Sequence, residues 1–176
     1  MTRGGVPLSV DLPTSGWHSE QGFFINKDAG VAADGASFLF WDPAPKGVYA
    51  DLCAHRLSPP AGPSTADLAA AVSTVPGTDV VSGPSNVTLG GRPAKRVVLK
   101  VRKDNKCAGG DGGFYLWYGD VQKGEIRYAT ALGVTLRLWI VDVNGTRLFI
   151  EAESYEGASP KVDQEIQKVV DSIQFE

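Results

Sequence analysis

The feature that most constrains this chain is a pair of apolar runs near its C-terminal end. Val134 to Val143 is followed by Asn144-Gly145 and then by Thr146 to Tyr155. Asn-Gly between two such runs is the strongest short-range signal for a two-residue hairpin turn, because both turn residues must adopt positive φ. The turn fixes the register, so Asp142 faces Arg147, Ile140 faces Phe149 and Trp139 faces Ile150. Side chains alternate across a strand, and here both faces are apolar: Leu138 and Ile140 on one, Trp139 and Val141 on the other. A strand of that kind belongs in the middle of a sheet covered on both sides. Helices are expected to supply the covers.

One cover is legible at the C-terminus. Ser159 is placed to cap a helix, Pro160 suits its first position, and Val162, Ile166, Val169, Val170 and Ile173 recur at helical spacing. Lys161, Gln164, Glu165 and Lys168 make the opposite, polar side, and Ile173-Gln174-Phe175 is expected to return toward the sheet. A second helix begins after Gly62-Pro63-Ser64, with Asp67 placed to complete a capping box and Pro76-Gly77 beyond its end. Strands are expected at Leu8–Pro13, Phe23–Ile25, Ser37–Trp41, Asp79–Val81, Val87–Leu89 and Lys95–Arg102. A Ser15-Gly16-Trp17 turn follows the first, and a Pro-rich loop runs from Pro43 to Pro63 with a short ordered piece near Val48 to Cys53. The Gly109 to Gly113 run lacks the spacing and the following helix of a phosphate-binding loop, and reads as a turn. The fold class is therefore α+β: a mainly antiparallel sheet of six or more strands flanked by helices, in one domain spanning residues 1–176. At 176 residues the chain is long enough to bury a substantial core.

The net charge of −3 hides an uneven distribution. Between Arg92 and Lys106 there are seven basic residues against the single acid Asp104. Such a run can bind phosphate or an anionic surface, but the alternation reads more simply. Arg96, Lys100 and Arg102 share one strand face with Val98, as on a strand with a single wet face, and glutamates on neighbouring strands are placed to neutralise them. No aromatic side chains interleave with the basic ones, so a nucleic-acid platform is not expected.

Two cysteines and two histidines exclude most zinc patterns. Asp51, Cys53 and His55 alternate, which leaves three readings of Cys53: a metal ligand with His55 and Cys107, a thiol nucleophile with His55 as base, or a disulfide with Cys107. The first lacks a fourth ligand and the second has poor in-line geometry. The disulfide is the leading reading; it would tie the Pro-rich loop to the Gly-rich one and would persist only outside a reducing cytosol.

No nucleophile elbow, zinc-protease helix or phosphate-loop motif is present, and no cofactor is expected. His18 reads as a surface residue. Glu151 and Glu153 share a strand face, where they can form a carboxylate pair or neutralise Arg96, Lys100 or Arg127. The candidate binding residues are Tyr49 and Trp117, which adjoin the two cysteine loops, together with Arg137 and Glu151. An aromatic-rimmed edge would serve a protein partner or a cell-envelope ligand. A deep pocket holding Glu151, Arg137 or a histidine would instead favour a small-molecule enzyme.

Several segments together carry a resemblance. Gly16-Trp17, Val48-Tyr49-Ala50-Asp51-x-Cys53, the Gly62-Pro63-Ser64 helix start with its Asp67-Leu68-Ala69-Ala70-Ala71, Val87 to Gly91, Arg137 to Leu148 and Val169 to Phe175 are similar to a group of uncharacterised actinobacterial extracytoplasmic domains. More distantly, the early Gly-Trp, the hairpin and the terminal Asp-Ser-Ile-Gln-Phe resemble the PsbP/LpqN-like α/β/α sandwich. Residues 119–133 depart from that pattern. The resemblance implies a sheet covered on both faces and an extracytoplasmic or secreted location. It also implies a signal or membrane segment absent from this chain, hence a membrane tether in the full-length protein. The function it implies is binding, sensing or accessory work in the cell envelope rather than catalysis.

Overall fold

The computed structural model describes residues 5–20, 22–27, 34–107, 113–129 and 131–176. The hairpin forms with the expected register. Strand β10 (Thr135–Val143) pairs antiparallel with β11 (Thr146–Ser154), matching Trp139 with Ile150, Ile140 with Phe149 and Asp142 with Arg147. Asn144 and Gly145 take the positive φ that the turn requires.

The hairpin occupies the middle of a seven-stranded antiparallel sheet. On one side β11 pairs with β4 (Ala36–Trp41), then β3 (Phe24–Lys27), then β2 (Trp17–Glu20). On the other, β10 pairs with β7 (Arg92–Val101), and the edge is β6 (Thr78–Leu89). Trp17 therefore lies in a strand, not in the turn where the sequence placed it, and His18 follows it in the same strand. Residues 28–33 and most of the Gly109 to Gly113 run lie outside the described residues.

Each face of the sheet carries its own core. On the face of Trp139, Val141 and Ile150, helix α2 (Pro160–Asp171) buries Val162, Ile166, Val169 and Val170. Beyond it β12 (Gln174–Phe175) pairs with β1 (Leu8–Ser9), so the C-terminus returns to the first strand rather than to the main sheet. Ser159 holds the N-cap position, but its side chain makes no cap bond; its backbone N–H donates to Asp34 at 3.0 Å instead.

On the face of Leu136, Leu138 and Ile140, helix α1 (Thr65–Val72) contributes Leu68, Ala69 and Val72. Its capping box is complete: Ser64 Oγ accepts from the Asp67 N–H, and Asp67 accepts from the Ser64 N–H, both at 3.0 Å. A helix does not cover this face alone. A three-stranded sheet of β5 (Gly47–Val48), β8 (Phe114–Tyr118) and β9 (Ile126–Ala129) shares the task, burying Val48, Phe114, Leu116 and Trp117 against it. Arg147 pins the Pro-rich loop to the hairpin by donating to the Gly62, Ser64 and Pro45 carbonyls.

The two strand pieces expected at Asp79–Val81 and Val87–Leu89 are one 12-residue strand with register shifts between Val80 and Ser85. Gly83 sits in that irregular stretch at φ +91°, and a Cβ there would stand 2.4 Å from the Arg96 carbonyl oxygen. Both the conformation and the backbone contact oppose a side chain. Gly83→Ala is expected to lose about 2 kcal/mol of stability, seen as a lower urea midpoint at unchanged slope. An unchanged midpoint would show that β6 moves away from β7 without cost.

Candidate functional site

The most unusual electrostatic arrangement lies between the two sheets. Glu151 projects from β11 on the Leu138 face and is fully buried. Arg127, from β9 of the small sheet, reaches across to it: Nε donates to Glu151 Oε1 at 2.7 Å and Nη2 to Glu153 Oε2 at 2.6 Å. Its Nη1 donates to the Tyr128 carbonyl, and Ser37 Oγ donates to Glu153 Oε1 at 2.9 Å. One cation thus serves two carboxylates in a place with little water.

Burial pushes the Glu151 carboxyl up from 4.5 to about 7; Arg127 opposes this and Glu153 adds to it. The Trp41 indole also favours the charged form. Even so, among the described residues Trp41 Nε1 and Glu151 Oε2 each lack a partner at hydrogen-bond geometry. Unpartnered buried polar atoms are costly unless a small polar molecule joins them. Of the neutralising partners expected for the glutamates, Arg127 is the one used. Arg96 and Lys100 lie on the opposite face of the sheet, as their pairing with Trp139 and Thr135 shows.

Tyr49 and Trp117 are not a surface rim. Tyr49 is 1% exposed and Trp117 fully buried, because large aromatics between two sheets contribute more as core than as lining. Trp117 packs edge-on to Phe149, and Tyr49 lies among Tyr115, Tyr118 and His55. Burial raises the Tyr49 phenol, helped by Tyr115 and Tyr118. The more accessible members of that cluster are His55 and Tyr115, whose Nε2 and hydroxyl stand 2.5 Å apart.

Arg137 and Glu151 do not meet. Arg137 leaves the other face of β10, donating to Ser154 at 2.9 Å and to Asp163 of α2 at 2.6 Å, so it fastens the helix to the sheet. Glu165 has a similar task and was not foreseen. Placed on the polar side of α2 by its spacing, it is buried and accepts from Trp17 Nε1 and Lys27 Nζ at 3.0 and 2.5 Å. Burial raises its pKa, but the bonds from Lys27 and Trp17 outweigh burial and the net shift is downward.

Cys53 and Cys107 are joined as a disulfide, S–S 2.04 Å. The bridge ties the segment after β5 to the approach to β8, beside His55 and Tyr115. Among the described residues no group of three or more His, Cys, Asp or Glu side chains is arranged to hold a metal ion.

No protein-family model matches the chain, and no curated protein matches it. Among solved structures it is similar in fold to LpqN, a protein involved in cell envelope biogenesis of Mycobacterium tuberculosis. The TM-score is 0.52 at 10% sequence identity, over 99% of this chain and 86% of that one. At that identity the likeness is one of fold.

Proposed function

We propose that this chain is a non-catalytic binding or accessory domain working outside the cytoplasm, in the bacterial cell envelope. The observation that carries the reading is the Cys53–Cys107 disulfide, a bond that a reducing cytosol does not maintain. The fold shared with LpqN, itself involved in cell envelope biogenesis, supports the same compartment. Glu151 is not placed for general acid–base catalysis. Glu151, the side chain whose protonation is most displaced toward neutrality, is spent on joining the two sheets and is shut away from solvent. A general acid or base needs reach to a substrate.

Thiol trapping in the native host tests this reading. Cells are quenched in acid, denatured and treated with a mass-tagged maleimide before and after reduction. The expected result is no tagging before reduction and tagging of both cysteines after it, with the protein in the envelope or secreted fraction. Two free thiols in a cytosolic fraction would overturn the proposal.

A further inference from the structure

The basic strand holds an arginine that the fold does not use. Arg96 lies on β7 beside Trp139 of β10, its guanidinium 5.7 Å from the centre of the indole ring. A cation–π contact of this kind holds the guanidinium near the ring without using its N–H donors. Among the described residues no carboxylate lies within ion-pair distance of Arg96, and no side-chain or carbonyl oxygen accepts from its guanidinium. Several basic side chains nearby do have partners. Arg137 is held by Asp163, Arg102 by Asp104, Lys103 by Glu156 and Lys95 by Asn86.

Arg96 faces a cleft. Between the C-terminal half of α2 and strands β6, β7 and β10 lies a space of about 680 Å³, within the range of small-ligand sites. Arg96 and Trp139 stand on the sheet side, Thr88 and Gly91 come from β6 and the turn after it, and Gln167 and Asp171 from the helix. Asp171 does not neutralise Arg96; it accepts from Gln167 at 2.7 Å. Burial lowers the Arg137 pKa, Asp163 opposes this, and nearby Arg96 adds to the lowering. The wet-face reading of Arg96 is thereby revised: the residue is half-buried at the edge of a helix-covered face.

We infer that this cleft binds an oxyanion, a phosphate or carboxylate group, on the guanidinium edge of Arg96. The planar fork of a guanidinium matches two oxygens of such a group. The hydroxyl of Thr88 lines the same cleft and is available to the rest of the ligand. The phosphate could come free in solution or as a lipid headgroup. The site deepens the binding reading without depending on the disulfide, so failure here leaves the thiol-trapping result standing.

The test is titration of the whole chain with inorganic phosphate, followed by nitrogen–proton correlation NMR. Saturable shifts are expected at the Arg96 side-chain N–H, the Trp139 indole N–H and the Gly91 amide. Arg96→Gln should weaken binding roughly 10- to 100-fold, the worth of hydrogen bonds to a charged group. Arg96→Lys, which keeps the charge and stem and guards against a folding defect, should weaken it less. Co-sedimentation with phosphatidylglycerol vesicles, against phosphatidylcholine, separates the sources. Arg96-dependent vesicle binding assigns a headgroup, and saturation by phosphate without vesicle binding assigns a soluble anion. Absence of saturable shifts together with absence of vesicle binding would overturn the inference, as would affinities equal in wild type and Arg96→Gln.

Discussion

Replacing Arg127 by methionine is expected to cost about 3–5 kcal/mol of unfolding free energy, the typical result of removing one partner from a buried ion pair. The loss comes less from the missing attraction than from the carboxylates left behind. Glu151 is fully buried and its second oxygen is already unpartnered. Without Arg127 Nε it would have to take up a proton or draw water between the sheets. Glu153 is better placed, since Ser37 continues to donate to it. Removing Arg127 and Glu151 together, as methionine and leucine, should recover much of the loss, because an apolar pair of similar volume suits this site. If the double variant is as unstable as the single one, the loss lies in the packing of β9 rather than in an unpaired charge.

The same carboxyl sets a pH dependence with a definite sign. Glu151 titrates near 4.5 when unperturbed and at about 7 in the folded protein. Between those values the native state holds the proton more tightly than the unfolded chain does. The stabilisation is fully present below about 4.5 and is lost as pH rises through about 7. The shift corresponds to about 3 kcal/mol, so thermal stability should fall from about pH 5 to about pH 8. Glu151→Gln should flatten that fall. Glu165 acts in the other direction: its lowered pKa gives stability that is present above its ordinary titration range and lost in acid. A wild-type profile that rises from about pH 5 to about pH 8 and keeps its slope in Glu151→Gln would contradict the assignment.

What the sequence disclosed and what it hid follow from the range of the interactions. The hairpin register was readable because the Asn144-Gly145 turn sets it from within. The start of α1 was readable because Ser64 and Asp67 are three residues apart and bond to each other. The failures are long-range. Glu165 occupies a polar position by local spacing, yet its partners Trp17 and Lys27 arrive from the far end of the chain. Arg127 is one of three candidate partners that the sequence offers the glutamates; only the small sheet, which brings it over Glu151, selects it from Arg96 and Lys100. That sheet itself was missed because β5 is two residues long and β8 is apolar throughout, without the alternation that marks a half-buried strand. Tyr49 and Trp117 were assigned to a surface because they adjoin exposed loops, whereas the second layer encloses them. The two-faced hairpin required a cover on each side but could not specify that one cover would itself be partly a sheet.

Loss of the Cys53–Cys107 bridge is expected to be as damaging as loss of Arg127, through a different route. The bond closes a loop with a sequence separation of 54 residues. Releasing it restores that loop's freedom in the unfolded state, worth roughly 4 kcal/mol in the chain-entropy treatment. That loop contains α1, β6 and β7, so the constraint acts on the half of the structure assembled before β8. The native state has its own means of holding these parts. Tyr115 N–H donates to the Leu52 carbonyl at 2.9 Å, and Asn105 donates to the Gly77 carbonyl at 2.8 Å, on either side of the bridge. The double variant Cys53→Ser/Cys107→Ser should therefore keep the same sheet pairing and near-ultraviolet circular dichroism at low temperature. Its denaturation midpoint should fall by an amount equivalent to roughly 2–4 kcal/mol, with the slope raised because the unfolded chain is more open. Both effects should also appear in the wild-type chain after reduction. A reduced chain as stable as the oxidised one would mean that the bridge adds nothing beyond those hydrogen bonds. A double variant with no native dichroism would mean that the bridge is needed to bring β5 and β8 together at all.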